Sequence, residues 1–427
     1  MEKQVIVAIG IFLVTYALII SEKFHRTIVA MIGGLAMVIL GIVGQSEALH
    51  HIDFNTLGLL TGMMIIVAIT GETGIFKYLA IAAAKRAKGD PLKILLFLGI
   101  ITAVASAFLD NVTTVLLMVP VTFSITRQLN VNPEPYLITQ ILTSNIGGTA
   151  TLIGDPPNIM IGSAVTELSF MDFISNLAFI AAIILVVTLA ILVWIYRNSL
   201  KTTEALKQEL MNIDERQVIT DPALLRKCLT VLSLTIFGFF LHQLFHLESA
   251  TVALAGAFLL LLITAKSDHD LEHAFSRVEW TTIFFFVGLF VLVSGLIETG
   301  IISSLASQVM VITKGDITAA SMFVLWLSAI ASGFIDNIPF VATMIPMIQD
   351  MGNLGIANLK PLWWSLALGA CLGGNGSLIG SSANLIVAGL AAQEGHHISF
   401  MRFLLIGFPL MLLSIVISTI YIYVRYL

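Results

Sequence analysis

Apolar stretches of membrane-spanning length recur along the whole chain, separated by short polar turns. A spanning helix needs about 20 mostly apolar residues. By that measure spans lie near 4–21, 27–44, 55–84, 136–165 and 174–196, and again near 228–246, 250–265, 280–310, 362–392 and 403–425. Two further stretches, 92–128 and 318–350, are apolar but interrupted in their middles by polar pairs. Each is predicted to form a re-entrant helical hairpin, because a polar break at membrane depth has to be satisfied by protein or water. The segment 201–227 is polar and charged, and reads as a cytoplasmic helical linker between membrane halves at 1–200 and 228–427.

The two halves repeat each other at a constant offset. Glu72-Thr73-Gly74-Ile75 recurs as Glu298-Thr299-Gly300-Ile301, and Lys88-Gly89-Asp90 as Lys314-Gly315-Asp316. Leu109-Asp110-Asn111 recurs as Ile335-Asp336-Asn337, Gly147-Gly148 as Gly373-Gly374, Leu152-Ile153-Gly154 as Leu378-Ile379-Gly380, and Asn158 as Asn384. Matches that stay in register over so long a stretch mark an internal repeat. Five crossings per half is an odd number, so the second half enters the membrane upside down. The predicted fold is therefore an all-α polytopic membrane protein. It has two inverted repeats of five transmembrane helices, each with a re-entrant hairpin and a broken helix, giving ten crossings plus two hairpins. Secondary transporters are built this way, with the site between the repeats.

Composition and charge agree. Of the 427 residues, 58% are hydrophobic and 11% are charged, against roughly 25% charged in a soluble domain. Net charge is −5 and no basic tract occurs. These values exclude a soluble enzyme, a nucleic-acid binder and a disordered regulator. In the ten-crossing arrangement, 16 of the 21 Lys and Arg residues fall on one side. Lys3, Lys314, Lys360 and Arg425 fall on the other, and Lys77 lies within a span. By the positive-inside rule the first side is cytoplasmic and both termini are outside. Cys228 and Cys371 are too far apart in sequence to suggest a disulfide framework or a zinc cage. No Walker-type nucleotide loop is present, so energy has to come from an ion gradient or a partner ATPase.

Candidate chemistry is confined to two constellations in each half. The first is the hairpin break. Asp110 and Asp336 stand where a returning half-helix starts and can cap its free N–H groups, while a carboxylate retained at that depth usually serves ion or proton traffic. Asn111, Thr113, Thr114 and Asn337 add amide and hydroxyl groups beside them. The second is a glycine-rich break inside a span, 144–162 and 370–389. Here Pro156 and Pro157 can start a new half-helix, and Asp155 is placed to cap it. A broken helix presents carbonyls from one stump and N–H groups from the other. Gly148, Thr149, Thr151, Asn158, Asn375, Ser377 and Asn384 surround the breaks as substrate-binding candidates. Asp155-Pro156-Pro157 becomes Ser381-Ser382-Ala383 in the second half, so the site is asymmetric and the first half carries the extra acid. Glu72 and Glu298 form a third acidic pair, which either lines the cavity or caps a helix after a break. Asp110, Asp155, Asp336, Glu72 and Glu298 are the candidates for proton or ion coupling. The cluster His269-x-x-Glu272-His273 reads as a solvated charged segment, and no metal site is expected.

These hairpin and broken-helix segments resemble the arsenite permease and NhaD-type antiporter family of the ion transporter superfamily, which also holds citrate and dicarboxylate transporters. Relatives similar to the melanosomal P protein share the pattern. The Ser-Asn-Thr hairpin tips of the dicarboxylate branch are replaced here by Asp110-Asn111-Val112-Thr113 and Asp336-Asn337-Ile338-Pro339. The resemblance implies a scaffold part and a transport part in each half, and often a homodimer. It implies secondary active transport, first of all proton-coupled efflux of arsenite or antimonite across the cytoplasmic (inner) membrane, with no cofactor and with H⁺ or Na⁺ as coupling ion. A sodium–proton antiporter and an anion or dicarboxylate transporter of the same fold stand as alternatives. A cytoplasmic ATPase subunit is a further candidate partner. Arsenite at neutral pH is a small neutral trihydroxide that needs hydrogen bonds rather than countercharges.

Overall fold

The computed structural model describes residues 2–21 and 23–427, leaving aside the side chains of Glu2 and Arg216. The first half runs through α1 (Glu2–Ile20), α2 (Arg26–Ile39), the short α3 (Gln45–His50), α4 (Phe54–Glu72), α5 (Ile75–Arg86), α6 (Pro91–Phe108), α7 (Asn111–Gln128), α8 (Glu134–Gly148), α9 (Pro156–Ala164), α10 (Phe170–Phe173) and α11 (Phe179–Tyr196). A π turn over Ile174–Ala178 joins the last two into one long helix. The linker holds α12 (Glu204–Met211). The second half comprises α13 (Pro222–Leu241), α14 (Ser249–Thr264), α15 (Asp268–Ser276), α16 (Trp280–Glu298), α17 (Ile301–Thr313), α18 (Ile317–Phe334), α19 (Asn337–Asn353), α20 (Lys360–Gly373), α21 (Ser382–Gln393) and α22 (Phe400–Tyr426). Helices α4 and α16, α6 and α18, α7 and α19, α8 and α20, and α9 and α21 all start at the repeat offset found in the sequence.

Among the described residues, eight helices are long and apolar enough to cross a membrane: α1, α4, α6, α10–α11, α13, α16, α18 and α22. Two of these, α6 and α18, are the first arms of the hairpins. At 18 residues each they are about 27 Å long. The remaining expected crossings are the shorter α2 and α14 and the two broken helices. The apolar runs 55–84 and 280–310 are not single spans. Each divides at a glycine, Gly74 (φ 80°) or Gly300 (φ 74°), in the left-handed region that glycine enters without steric cost. The repeated Glu-Thr-Gly motif is thus a helix stop.

The repeats exchange partners. Helix α4 packs on α14 and α16 packs on α2, so each half supplies one member of the other half's scaffold pair. Within each half the hairpin arm lies along the broken helix, α6 on α8 and α18 on α20. The second stump α9 packs on α19 and α20, and α21 packs on α7 and α8. This interlocking brings both hairpin tips and both helix breaks to one place.

Local capping explains where the arms turn. Asp90 accepts from Lys93 N at 3.0 Å and Asp316 from Ala319 N at 2.8 Å, satisfying N–H groups that a helix start leaves free. The approach of α6 to α8 requires glycine at position 147, where a Cβ would stand 2.1 Å from the carbonyl oxygen of Ala103. Gly147→Ala is expected to cost at least about 1–3 kcal/mol, because overpacking forces the backbone apart. Gly389→Ala, with nothing within 4 Å of the new Cβ, serves as the neutral control. Comparable recoveries of monodisperse protein for the two variants would contradict this account.

Candidate functional site

The site forms where the hairpin tips meet the helix breaks. Asp110 ends the first hairpin turn and caps α7. Its Oδ1 accepts from Thr113 N at 2.9 Å, and its Oδ2 accepts from the Thr113 hydroxyl. Asp336 caps α19 through Ile338 N at 3.4 Å. Pro339 stands where the first half has Thr113, and it offers neither N–H nor hydroxyl. Asp336 instead accepts from the Ser382 hydroxyl at 2.8 Å and from Arg26 at 2.5 Å.

Asp155 departs from expectation. It makes no capping hydrogen bond to α9. Pro156 and Pro157 occupy the first helical positions and carry no N–H, and the next N–H, on Asn158, bonds to the Asp155 backbone carbonyl at 3.0 Å, so the side chain is free to turn inward. There its Oδ1 accepts from Asn111 Nδ2 at 3.2 Å and from Asn337 Nδ2 at 3.3 Å. The asparagines of the two hairpin tips, one from each half, therefore converge on one carboxylate oxygen. The other oxygen, Oδ2, finds no partner among the described residues, although Asp155 is 0% exposed.

Asn145, which sequence reasoning did not single out, ties the halves together. Its Nδ2 donates to Asn375 Oδ1 at 2.9 Å and to Asn384 Oδ1 at 3.0 Å. Its Oδ1 accepts from Asn111 Nδ2 at 3.2 Å and from the Ser381 hydroxyl at 3.2 Å. Its repeat mate is Cys371, whose thiol donates to Asn158 Oδ1 at 3.6 Å. Because the pair does not match, the repeat gave no signal for Asn145.

Asn158 and Asn384 hold the breaks in shape. Asn158 Nδ2 donates to the carbonyls of Thr151 at 2.8 Å and Thr149 at 3.1 Å, with Gly148 at 3.4 Å. Asn384 Nδ2 does the same to Gly374 at 2.7 Å and Ser377 at 2.9 Å. Several carbonyls of the first stumps are therefore already engaged by side-chain amides. Thr149 donates to the Asn145 carbonyl at 2.8 Å, Ser377 to Gly333 at 2.5 Å and Thr151 to Ala107. The Thr114 hydroxyl is buried and unpartnered among the described residues.

The scaffold contributes two charged residues. A small cavity of about 20 Å³ is lined by Asp110, Asn111, Asp155, Asn337, Arg26 and Glu279, among others. Arg26 begins α2 and Glu279 precedes α16. Among the described residues Arg26 is the one cation lining it. Arg26 also borders an outer cavity of about 310 Å³ shared with Asp336 and Ser382. Glu279 borders another of about 440 Å³, shared with Thr113 and Arg277. Glu72 and Glu298 lie elsewhere. They are 41% and 39% exposed and sit 3.1 Å from His273 and His51, respectively.

The comparisons with known proteins agree with this architecture. The chain is 41% identical to an uncharacterized transporter of Mycobacterium tuberculosis, covering 99% of this chain and 98% of that one. It is 38% identical to the human P protein, covering 100% of this chain and 60% of that one. The crystal structure of the YdaH transporter of Alcanivorax borkumensis superposes with a TM-score of 0.60 at 12% identity, covering 99% and 98% of the two chains. That likeness shows the fold. The resemblance read from the motifs thus holds for the P protein and for transport in general, while none of the proteins named here carries arsenite or sodium in its description. The citrate transporter family, CitMHS, matches residues 16–369, and the chain belongs to that family as an integral membrane transporter of a small substrate.

Proposed function

We propose that this transporter is a proton-coupled exporter of a small uncharged polyhydroxy solute, with arsenite or antimonite as first candidates. The observation that carries the reading is the charge balance of the small central cavity. The buried Asp110 and Asp155 and the half-buried Glu279 line it, and its one cation among the described residues, Arg26, is already paired with Asp336. Buried carboxylates without a countercharge have to be neutralised, so protons or monovalent cations are integral to the site. A neutral solute such as As(OH)₃ adds no further negative charge, and the cavity offers it the amides of Asn111 and Asn337 and the hydroxyls of Thr282, Ser381 and Ser382; Thr114 does not line it. Asp110, Asp155 and Asp336 are the coupling groups in this reading. Glu72 and Glu298, set apart at the surface, would act only indirectly. The basic loops put the ends of α2 and α16 on the cytoplasmic face of the inner membrane, so this conformation is open to the inside, with both termini outside. Dimerisation and an ATPase partner at the linker remain compatible additions.

The family description favours a second reading, a citrate-type carboxylate moved together with neutralising cations. Everted membrane vesicles separate the two. Proton-driven accumulation of arsenite is expected, and Asp110→Asn should lower it at least about tenfold with unchanged protein in the membrane. Uptake of citrate without arsenite accumulation would replace the first reading with the second. Sodium–proton exchange with neither solute moving would replace both with the antiporter.

A further inference from the structure

The two hairpin acids are repeat mates, yet their surroundings differ in one charge. Asp110 is served by Thr113 alone, and no cation pairs with it among the described residues. Asp336 has no such service, because position 339 is proline. In its place Arg26 Nη1 stands 2.5 Å from Asp336 Oδ2 and 2.5 Å from the Ser382 hydroxyl, and those two oxygens are themselves 2.8 Å apart. The nitrogen thus occupies the point at which a small cation held by hairpin and broken helix would sit. The guanidinium is steadied from the scaffold side by the ring of Phe285, 4.9 Å from its carbon, a favourable cation–π arrangement.

Arg26 belongs to the scaffold, because α2 packs on α16 and α1. Asp336 and Ser382 belong to the second-half hairpin and broken helix. The contact therefore crosses the boundary along which the two parts would move against each other. The repeat mate of Arg26 is Val252, so the opposite end of the scaffold presents no equivalent cation. Other charged or titratable groups face Arg26. His25 shares its outer cavity, and Glu279, Asp110 and Asp155 lie across the small central cavity. Arg277 lies beyond Glu279.

We propose that Arg26 is a resident counter-ion of the scaffold, filling the cation position of the second hairpin in this conformation only. When the hairpin leaves this end of the scaffold, that position is vacated and takes up a proton or monovalent cation from solution. The first-half acids, with no arginine of their own, rely on solution ions in both conformations. This inference rests on the reading that the hairpin acids carry the coupling ion, and it does not depend on which solute is moved.

The test needs no solute. Cysteines introduced as Phe24→Cys and Ile386→Cys line the two sides of the outer cavity, and a short bifunctional thiol reagent reports docking of hairpin on scaffold in the purified full-length protein. In choline buffer, Arg26→Ala is expected to lower the cross-linking yield severalfold. Millimolar Na⁺ or guanidinium ion should restore it, and the added Asp336→Asn change should abolish that rescue. Arg26→Lys should behave nearly as wild type. Should Arg26→Ala not elute as a monodisperse peak, Arg26→Gln replaces it in the same assay. Undiminished cross-linking in choline, or a loss that no cation restores, would overturn the proposal. A protein that meets these expectations yet does not move arsenite would retain this inference and lose the substrate assignment.

Discussion

Replacing Asp155 by asparagine is expected to lower ion-coupled transport by roughly two orders of magnitude or more while leaving the folded protein in the membrane. Asparagine has the same shape and keeps an oxygen for the Asn111 and Asn337 amides, so the hairpin tips remain anchored. What disappears is the carboxylate whose second oxygen lies buried and unpartnered among the described residues. That oxygen has unfilled capacity for a proton or ion. Asp155→Ala is expected to do more. It leaves two buried amide donors without their acceptor, at about 1–3 kcal/mol each, and should lower recovery as well as transport. Transport in everted vesicles, normalised to membrane protein, distinguishes the two effects. An Asp155→Asn protein that still transports against a gradient would remove Asp155 from the coupling machinery.

The second large effect is expected at Asn145. Its side chain makes four hydrogen bonds, to Asn375, Asn384, Asn111 and Ser381, and three of these cross between the halves. Asn145→Ala strands several buried groups at about 1–3 kcal/mol each, comparable with the whole net stability of roughly 5–15 kcal/mol of a folded domain. Asn145→Asp keeps the acceptors but loses both donated bonds, and puts a charge beside Asp155. Both variants should melt at least several degrees below wild type in detergent, and neither should transport. An unchanged melting temperature for Asn145→Ala would mean that the asparagine network is not what joins the halves.

Much of the fold was legible because its determinants are local. Apolar runs located the spans, and the repeat offset located the matching elements in the other half. Asp110 and Asp336 marked helix starts, as the hydrogen bonds bear out. The runs 55–84 and 280–310 were misread as continuous because hydropathy does not register a single left-handed glycine. Asp155 looked like a helix cap for the same kind of reason. Its position was right, but the two prolines that follow it remove the first two N–H groups, and the third, on Asn158, bonds to the Asp155 backbone carbonyl instead of the carboxylate.

Site membership was harder to read. Arg26 and Glu279 lie at helix ends, where charges ordinarily sit at the membrane surface, and Arg26 served in the sequence only to mark orientation. Asn145 had no repeat mate of its own kind. Asn158 and Asn384 were visible as candidates, but their main role in this conformation is to hold the carbonyls of their own loops.

The sequence by itself determined an inverted-repeat membrane protein with acids at both hairpin breaks and at one of the two helix breaks, because hydropathy, capping and repetition act within a few turns of the chain. Only the tertiary structure decided which of those acids meet. The interlocked halves bring Asn111 and Asn337 onto Asp155 and set Asn145 against Asn375 and Asn384. The scaffold then delivers an arginine to Asp336 and leaves Asp110 without one. These juxtapositions span more than 180 residues in several cases, a distance over which no local pattern carries information.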